Sequence, residues 1–288
     1  MPKGELRQLL EEPGGCRRLL RELLADPVLN ARLLKLALHA RGYDNYQNSL
    51  VSGELFLVRM VLPRLGICSC LDVGAARGGY SRMLLETLPG CRVFGCEPLS
   101  ANLPALEELA RREPQRFFVW PWALGASTGD AWLHYNPSLL QHATLCEDIE
   151  AIDYLDNSLR EHVKLRRLDD VWATVADSEG FDFIKIDSEG WEADVLDGAV
   201  ATLKAYPPRA IQLEFNRHHL FRGHTLLSLS QRLPDHAMYQ LLPHRLEPRD
   251  PTAPLSNLFE FSNFVFIHRD LGETIGPFTQ ACPAPGAI

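Results

Sequence analysis

The chain has 288 residues, of which 46% are hydrophobic and 23% are charged, a composition typical of a globular protein that can bury a full core. A net charge of −8 argues against a surface for DNA or RNA, which needs clustered lysine and arginine, so we expect no nucleic-acid partner. No apolar run reaches the roughly 18 residues that span a bilayer, and the first residues lack the apolar stretch of a signal peptide. We therefore expect a cytoplasmic protein with no membrane partner.

Leucines at helical spacing run through residues 6–39 and are interrupted around Pro13 and Pro27. This pattern predicts a helical cap over residues 1–52, whose leucine-rich helices can offer a surface for a homo-oligomer. A further helix is predicted from Gly53 to about Leu65.

A buried strand and a glycine turn are predicted by residues 67–79, which read ICSCLDVGAARGG. Gly74 and Gly78 tolerate positive φ and lack the Cβ that would keep a ligand away from the backbone. The spacing is Asp-x-Gly-x-x-x-Gly, whereas a pyrophosphate-binding turn needs G-x-G-x-x-G. Because Asp72 repels phosphate, the pattern favours a cationic, phosphate-free cofactor such as S-adenosylmethionine. An ordinary turn between a strand and a helix is the alternative.

A second acid, Glu97, ends the next predicted strand, about one β-α-β step after Asp72. A carboxylate at a strand tip can accept hydrogen bonds from both ribose hydroxyls of a nucleoside. Methyltransferases and nicotinamide enzymes share this device, so Glu97 alone does not separate the two classes.

The alternation of strands and helices from residue 67 onward predicts an α/β, Rossmann-like domain over residues 53–270. Turns at Gly125 and Gly129 predict an antiparallel hairpin within residues 123–135. The long polar segment 136–161 is predicted to be a lid or an acceptor-binding insert, and residues 271–288 a C-terminal tail without periodicity. A mainly parallel sheet of seven strands with an antiparallel last strand is predicted, and its strands are 67–73, 91–97, 116–120, 181–187, 210–215, 237–242 and 261–268. The core is predicted to resume, after the polar segment, at residues 163–168.

Strand alternation places Lys185 and Asp187 on one face at the carboxyl end of a central strand. Ligands of open α/β sheets bind at that end, so this pair should lie beside Asp72 and Gly74. An ion pair buried in a sheet usually adds no net stability, which favours a function for Lys185 and Asp187. Acids in the first turn of the following helix, such as Glu192, are explained equally well by the helix dipole.

With these motifs together, residues 53–268 resemble the FkbM family of S-adenosylmethionine-dependent methyltransferases. The resemblance rests above all on residues 185–192, KIDSEGWE, placed after the Asp-x-Gly turn. It implies a class I methyltransferase fold and methyl transfer to a hydroxyl of a sugar, polyketide or similar small molecule. The chain departs from the family in carrying Ala76 and Arg77 after the turn and a longer segment before Val163. The cofactor-binding residues predicted in this way are Asp72, Gly74, Ala75, Gly78, Tyr80, Glu97, Pro98, Asn102, Ala123 and Leu124.

The chemistry requires that the acceptor oxygen be held in line with the S-methyl bond and lose its proton as the bond forms. Asp187 is the first candidate for the base, with Lys185 steadying the developing alkoxide or fixing Asp187, and Glu189 completes the predicted catalytic group. A magnesium-assisted version would use Asp187 and Glu214, with Asp169 as a further candidate ligand. The alternative bases are His134, His142, His218 and His219, although exposed or capping histidines are more common.

Two other classes of protein remain open at this point. A nicotinamide-dependent oxidoreductase would bind NADH and no S-adenosyl compound, but the missing G-x-G-x-x-G counts against it. A methyltransferase-fold binding protein without turnover would bind the cofactor and act on no acceptor, but the intact Asp72, Glu97, Lys185 and Asp187 argue against it.

Overall fold

The structure is a computed structural model that describes residues 5–147, 152, 156–175 and 180–279. The chain divides into two compact units, Met1–Asp44 and Asn45–Ile288. The first unit contains helices α1 (Glu5–Glu11), α2 (Gly15–Ala25) and α3 (Pro27–Ala40). Asp26 separates the last two helices because its side chain accepts hydrogen bonds from the first N–H groups of α3 and thereby caps it.

The second unit opens with a helical segment in three parts, as predicted for residues 53–65. Helix α4 (Glu54–Phe56) continues through a π-helical turn, Leu57–Val61, into α5 (Leu62–Leu65). The remaining helices are α6 (Gly79–Thr87), α7 (Leu103–Arg112), α8 (Leu168–Val175), α9 (Glu192–Asp197), α10 (Val200–Ala205), α11 (His218–Arg222), α12 (Leu226–Ser230) and α13 (Gly272–Thr279).

Eleven strands among the described residues form two sheets in the second unit. The strands are β1 (Ser69–Val73), β2 (Arg92–Cys96), β3 (Phe117–Trp120), β4 (Ala123–Leu124), β5 (Gly129–Tyr135), β6 (Leu159–Arg166), β7 (Phe183–Ile186), β8 (Ala210–Phe215), β9 (His236–Leu242), β10 (Arg245–Pro248) and β11 (Ser262–His268).

The larger sheet has the order β10-β9-β11-β8-β7-β1-β2-β3. Its five strands from β8 to β3 are parallel, and β11 runs antiparallel to both β8 and β9. The predicted α/β fold with a mainly parallel sheet is confirmed, but the described sheet has eight strands instead of seven. The prediction missed β10, a short strand that ends in a proline and pairs with β9 directly after a tight turn.

The smaller sheet has the order β4-β6-β5. Strand β6 pairs in parallel with β4 and antiparallel with β5, so the hairpin predicted for residues 123–135 is wrong. The segment 163–168, where the core was predicted to resume, lies mostly in β6 and so belongs to this smaller sheet. The physical reason is burial: Val163 and Leu165 of β6 pack with Leu133 of β5, and this cluster needs β6 in the centre.

Alternate side chains of the larger sheet fill two separate hydrophobic clusters, one on each face. On β1, Leu71 belongs to one cluster and Cys70 to the other. Because side chains alternate along a strand, Asp72 points to the same face as Cys70, and Lys185 points to the same face as Phe183. Two charged side chains therefore lie inside a face of the sheet that is otherwise largely apolar.

Two predicted segments are partly outside the described residues. In the predicted insert 136–161, a short 3-10 turn covers Leu140–His142 and β6 begins at Leu159, whereas residues 148–151 and 153–155 are not described. In the predicted tail, α13 forms a helix with Ile275 buried, and residues 280–288 are not described. Within the described part of the chain, no helix is long and apolar enough to cross a membrane.

Candidate active site

A cavity of about 470 Å³ opens at the carboxyl ends of the parallel strands. Its wall takes residues from the ends of β1, β2, β4 and β7, and from the turn that precedes α6. Strands β2 and β7 lie on either side of β1, so the chain changes direction across the sheet at this point. Open α/β sheets bind ligands at such a switch point.

Gly74 lies where the glycine turn after β1 contacts the end of β7, at which Lys185 and Asp187 lie. Its φ is +76°, and a Cβ at this position would lie 1.8 Å from the carbonyl oxygen of Asp187. The N–H groups of Gly74 and Ala75 donate to the carbonyl oxygen of Cys96 at 3.0 and 3.1 Å. The glycine is therefore required because the ends of β1, β2 and β7 meet there.

Glu97 is a buried carboxylate held in place by the backbone. The N–H groups of Ala76 and Leu99 each donate to one of its oxygens at 2.8 Å. Burial raises the pKa of Glu97 above its usual value, although these N–H groups oppose the shift. Since each carboxylate oxygen has a further lone pair, Glu97 can still accept one hydrogen bond at each oxygen from a ligand in the cavity.

Lys185 and Asp187 form an ion pair in the cavity wall. Lys185 Nζ donates to Asp187 Oδ2 at 3.0 Å and lies 3.6 Å from Asp72 Oδ1. Burial opposes the charged form of Lys185, but Asp187, Asp72 and Glu54 outweigh it and raise the pKa of the lysine well above its usual range. Burial also raises the pKa of Asp187, while Lys185 lowers it and Glu189 raises it further. The lysine is thus a fixed cation beside a carboxylate of increased basicity.

Glu189 is held between two histidines. Its Oε1 lies 2.9 Å from His142 Nδ1, and its Oε2 lies 2.9 Å from His218 Nδ1. The residue has a φ of +53°, which is rare for a residue with a side chain, so the surrounding contacts must hold it there. Burial favours its neutral form, but the hydrogen bonds of both histidines outweigh burial and lower the pKa of Glu189 to about 2. The same contact raises the pKa of His142.

Helix α11 places further basic side chains against the acidic segment that follows β7. His219 Nε2 lies 3.0 Å from Glu192 Oε2, with both side chains buried. Arg222 donates to Asp194 at 2.8 Å, and its guanidinium lies 4.6 Å from the ring centre of Trp191. Because Trp191 lines the cavity, these pairs fix one wall of the site.

Most of the predicted site residues meet at this cavity. Seven of the ten predicted cofactor residues line it, together with Lys185 and Asp187, whereas Glu189 lies behind the wall. The predicted cofactor residues outside the described lining are Asp72, Gly78 and Asn102. Gly78 instead packs close to α7, where a Cβ would lie 3.0 Å from Leu106. The lining residues are Gly74, Ala75, Tyr80, Glu97, Pro98, Ala123 and Leu124.

The motifs of the sequence did not identify one part of the cavity wall, which comes from segments far from these motifs in the chain. Glu54 comes from the helix before β1 and receives a hydrogen bond from Ser52 Oγ at 2.9 Å. Residues 140–145 line the cavity with five of their six side chains. The predicted insert 136–161 indicated this second segment, but no local pattern singled out Glu54.

Asp187 and Glu214, the predicted magnesium ligands, form a cluster with Glu189 whose oxygens lie within 4.8 Å of one another. Each carboxylate already has a partner in the protein: Lys185 for Asp187, two histidines for Glu189, and the amide of Asn216 for Glu214. A cation would have to displace these groups, so the donor set as arranged does not fit a metal ion, and we derive no step through one.

Asp169, the further candidate ligand, is not part of this cluster. Its carboxylate accepts hydrogen bonds from the backbone N–H groups of Ala201 and Thr202 at 3.1 and 2.8 Å. It therefore caps helix α10.

The fold and the cavity together define an α/β protein with a ligand site at the switch point of its parallel sheet, and comparison with known proteins gives the family. The profile of the methyltransferase FkbM domain matches residues 72–245. The chain therefore belongs to the FkbM methyltransferase family. This result gives no support to the nicotinamide oxidoreductase.

The individual proteins that the chain resembles share little sequence identity with it. The 2-O-methyltransferase NoeI of Sinorhizobium fredii (strain NBRC 101917 / NGR234) is 28% identical over 185 residues, which cover 60% of this chain and 70% of NoeI. A solved methyltransferase FkbM from Methylobacillus flagellatus KT is 20% identical, with a TM-score of 0.45 over 69% of this chain and 43% of that chain. The plantazolicin methyltransferase BpumL, solved in complex with SAH, is 10% identical, with a TM-score of 0.42 over 80% of this chain and 89% of that chain.

Proposed function

We propose that the chain transfers a methyl group from S-adenosylmethionine to a hydroxyl of a small molecule such as a sugar. The observation that carries this proposal is a single cavity lined by both Glu97 and the Lys185–Asp187 pair. Glu97 can accept hydrogen bonds from the ribose of a nucleoside, and Asp187 can accept the proton of an acceptor hydroxyl. The family and the name of NoeI, a 2-O-methyltransferase, support the same reaction.

The charge of the wall fits a cationic cofactor. Glu54, Glu97 and Asp187 are acidic, and Lys185, the one cation among the described lining residues, is already paired. Such a wall disfavours a phosphate group and favours a sulfonium. Gly79, where a Cβ would meet no other atom within 4 Å, leaves room at the start of α6 for a bound molecule. When bound, S-adenosylmethionine supplies a methyl group that its sulfonium has already activated.

The side chains of the chain itself would hold the acceptor and take up its proton. Asp187 is the proposed base, since burial raises its pKa toward the range in which a carboxylate accepts a proton effectively. Lys185 cannot act as a base because its pKa is raised, so it remains a positive charge beside the developing alkoxide. Trp191, Leu140 and Leu145 supply apolar surface that excludes water from the reacting atoms.

The proposal is tested by incubating the purified protein with S-adenosylmethionine carrying a labelled methyl group and a panel of neutral sugars and phenols. We expect label to be transferred to a hydroxyl of at least one acceptor, and we expect S-adenosylhomocysteine to bind. A protein that binds neither S-adenosyl compound, or that transfers label only to nitrogen acceptors, would contradict the proposed reaction.

A further inference from the structure

Asp72 is the first acid of the glycine-turn motif, yet its side chain is fully buried. The cavity wall takes Val73 and Gly74 from this part of the chain but not Asp72. Ser81 Oγ donates to Asp72 Oδ2 at 2.6 Å, and Lys185 Nζ lies 3.6 Å from Oδ1. Asp72 Oδ2 is therefore hydrogen-bonded within the protein, whereas Oδ1 has the ammonium of Lys185 as its charged neighbour and no hydrogen-bond partner among the described residues.

The position of Asp72 follows from the register of the sheet. Asp72 of β1 lies opposite Lys185 of β7, and Lys185 lies opposite Gln212 of β8. Tyr80 from α6 closes this row: its hydroxyl donates to Gln212 Oε1 at 2.6 Å, and its ring centre lies 5.1 Å from Lys185 Nζ. The result is a buried polar row across three parallel strands that reaches the cavity at Lys185.

Lys185 is the link between this row and the reacting end of the cavity. Its ammonium lies near two carboxylates, 3.0 Å from Asp187 and 3.6 Å from Asp72. One positive charge is thus shared between an acid in the cavity wall and an acid behind it. Because Asp72 is fully buried and lies outside the cavity lining, a cofactor in the cavity has no direct access to its carboxylate.

We propose that Asp72 is a positioning residue that acts on Asp187 through Lys185, and that it is not a ligand of the cofactor. This inference rests on the proposed function, since it assigns Asp187 to the acceptor. Asp72 holds the ammonium of Lys185 in place and partly neutralises its positive charge. Lys185 then stabilises the charged form of Asp187 less strongly, so that the carboxylate of Asp187 stays basic enough to accept a proton.

The effect on pH dependence has a definite sign. Lys185 is faced by Asp72, Asp187, Glu54 and the ring of Tyr80, and Asp187 is faced by Lys185, Glu189, Glu54 and Glu214. Replacing Asp72 with asparagine removes one negative charge near Asp187. It also removes the second carboxylate beside Lys185, so that the ammonium interacts more strongly with Asp187. Both changes lower the pKa of Asp187. We therefore expect the acid limb of the rate profile to move to lower pH and the plateau rate to fall.

The decisive experiment compares two acids at neighbouring strand tips, Asp72→Asn and Glu97→Gln. Affinity for S-adenosylhomocysteine is measured by calorimetry, the melting temperature is recorded, and kcat is followed against pH with an acceptor found in the transfer assay. For Asp72→Asn we expect affinity within about twofold of wild type, a kcat about tenfold lower, and a shifted acid limb. For Glu97→Gln we expect affinity at least tenfold weaker and an unmoved limb.

Ser81→Ala is the second variant, since it removes only the hydroxyl that orients Asp72 and keeps every charge. It should reproduce the fall in kcat of Asp72→Asn to a smaller extent, again with unchanged affinity. If a folded Asp72→Asn or Ser81→Ala protein loses tenfold or more of its affinity for S-adenosylhomocysteine, Asp72 belongs to the cofactor site and the inference is overturned. If the wild-type protein does not bind that compound, the proposed function fails instead.

Discussion

The two halves of the cavity are built on different principles. At the tips of β1 and β2, the site consists of a glycine turn, backbone N–H groups and one carboxylate, all within a short stretch of chain. At the tips of β7 and β8, it consists of charged and polar side-chain contacts between distant elements, such as those of His142 and His218 with Glu189. The first half is fixed mainly by backbone geometry, and the second by electrostatics that respond to charge and pH.

The largest expected effect lies in the second half. Asp187→Asn removes the proposed base and should lower kcat by about 10²–10⁴-fold, the usual contribution of a positioned general base. Affinity for S-adenosylhomocysteine should stay near that of wild type, because the asparagine keeps the shape of the wall. The control is Asp130→Asn, an exposed carboxylate paired with Lys164. Equal turnover of Asp187→Asn and wild type would remove Asp187 from the reaction.

In the first half, Gly74→Ala tests the backbone contact. A methyl group there would collide with the carbonyl oxygen of Asp187, and the alanine would have to adopt a left-handed backbone conformation. We therefore expect a loss of about 3 kcal/mol or more in the free energy of unfolding. Denaturant titration measures this loss.

Gly79→Ala is the matched glycine, since nothing lies within 4 Å of its added Cβ. It should change the free energy of unfolding by about 1 kcal/mol at most, while weakening the binding of S-adenosylhomocysteine because it lines the cavity. Similar losses of stability in the two variants would show that the strand tips do not meet as described.

In the second half of the cavity, the charge of Glu189 should make the free energy of unfolding depend on pH. The pKa of Glu189 is about 2 in the folded chain and lies near 4.5 when the chain unfolds, so its stabilisation is complete above that value and is lost as the pH falls toward 2. By pH 3 the loss is about 2 kcal/mol.

Urea unfolding of wild type and Glu189→Gln at pH 6 and pH 3 measures this contribution. The variant should lose less stability than wild type between the two pH values, and the surface variant Glu247→Gln should behave like wild type. The same slope in Glu189→Gln and wild type would mean that the two histidines do not hold Glu189 as a charged group.

The smallest expected effect is that of metal removal. Because every carboxylate of the Asp187, Glu189 and Glu214 cluster already has a protein partner, we expect turnover to change less than twofold after dialysis against EDTA. Recovery of lost activity by added magnesium would reinstate the predicted metal site.

The sequence was sufficient for the first half of the site because its signals are local. A strand, a glycine turn and an acid one β-α-β step later are contiguous, and strand alternation also placed Lys185 beside Asp187. The prediction that this pair lies beside Asp72 is also confirmed, since β1 and β7 are neighbours in the sheet. The contact of Asp72 with Lys185 behind the cavity wall was not predicted, because it depends on the register between the two strands.

The remaining differences have the same origin. His218 and His219 were considered only as bases, because nothing near them in the sequence shows that Glu189 and Glu192 lie opposite. The pairing of β6 between β4 and β5 was missed because β4 has only two residues and carries almost no strand signal. Long-range burial decides such arrangements, and a single sequence does not display it.

The most direct test of the account is calorimetric titration of the full chain with S-adenosylhomocysteine and, separately, with NADH. We predict saturable heat with one molecule of S-adenosylhomocysteine per chain and none with NADH. Tight binding of NADH without any heat from S-adenosylhomocysteine would contradict the assignment of the cavity to a cationic, phosphate-free nucleoside.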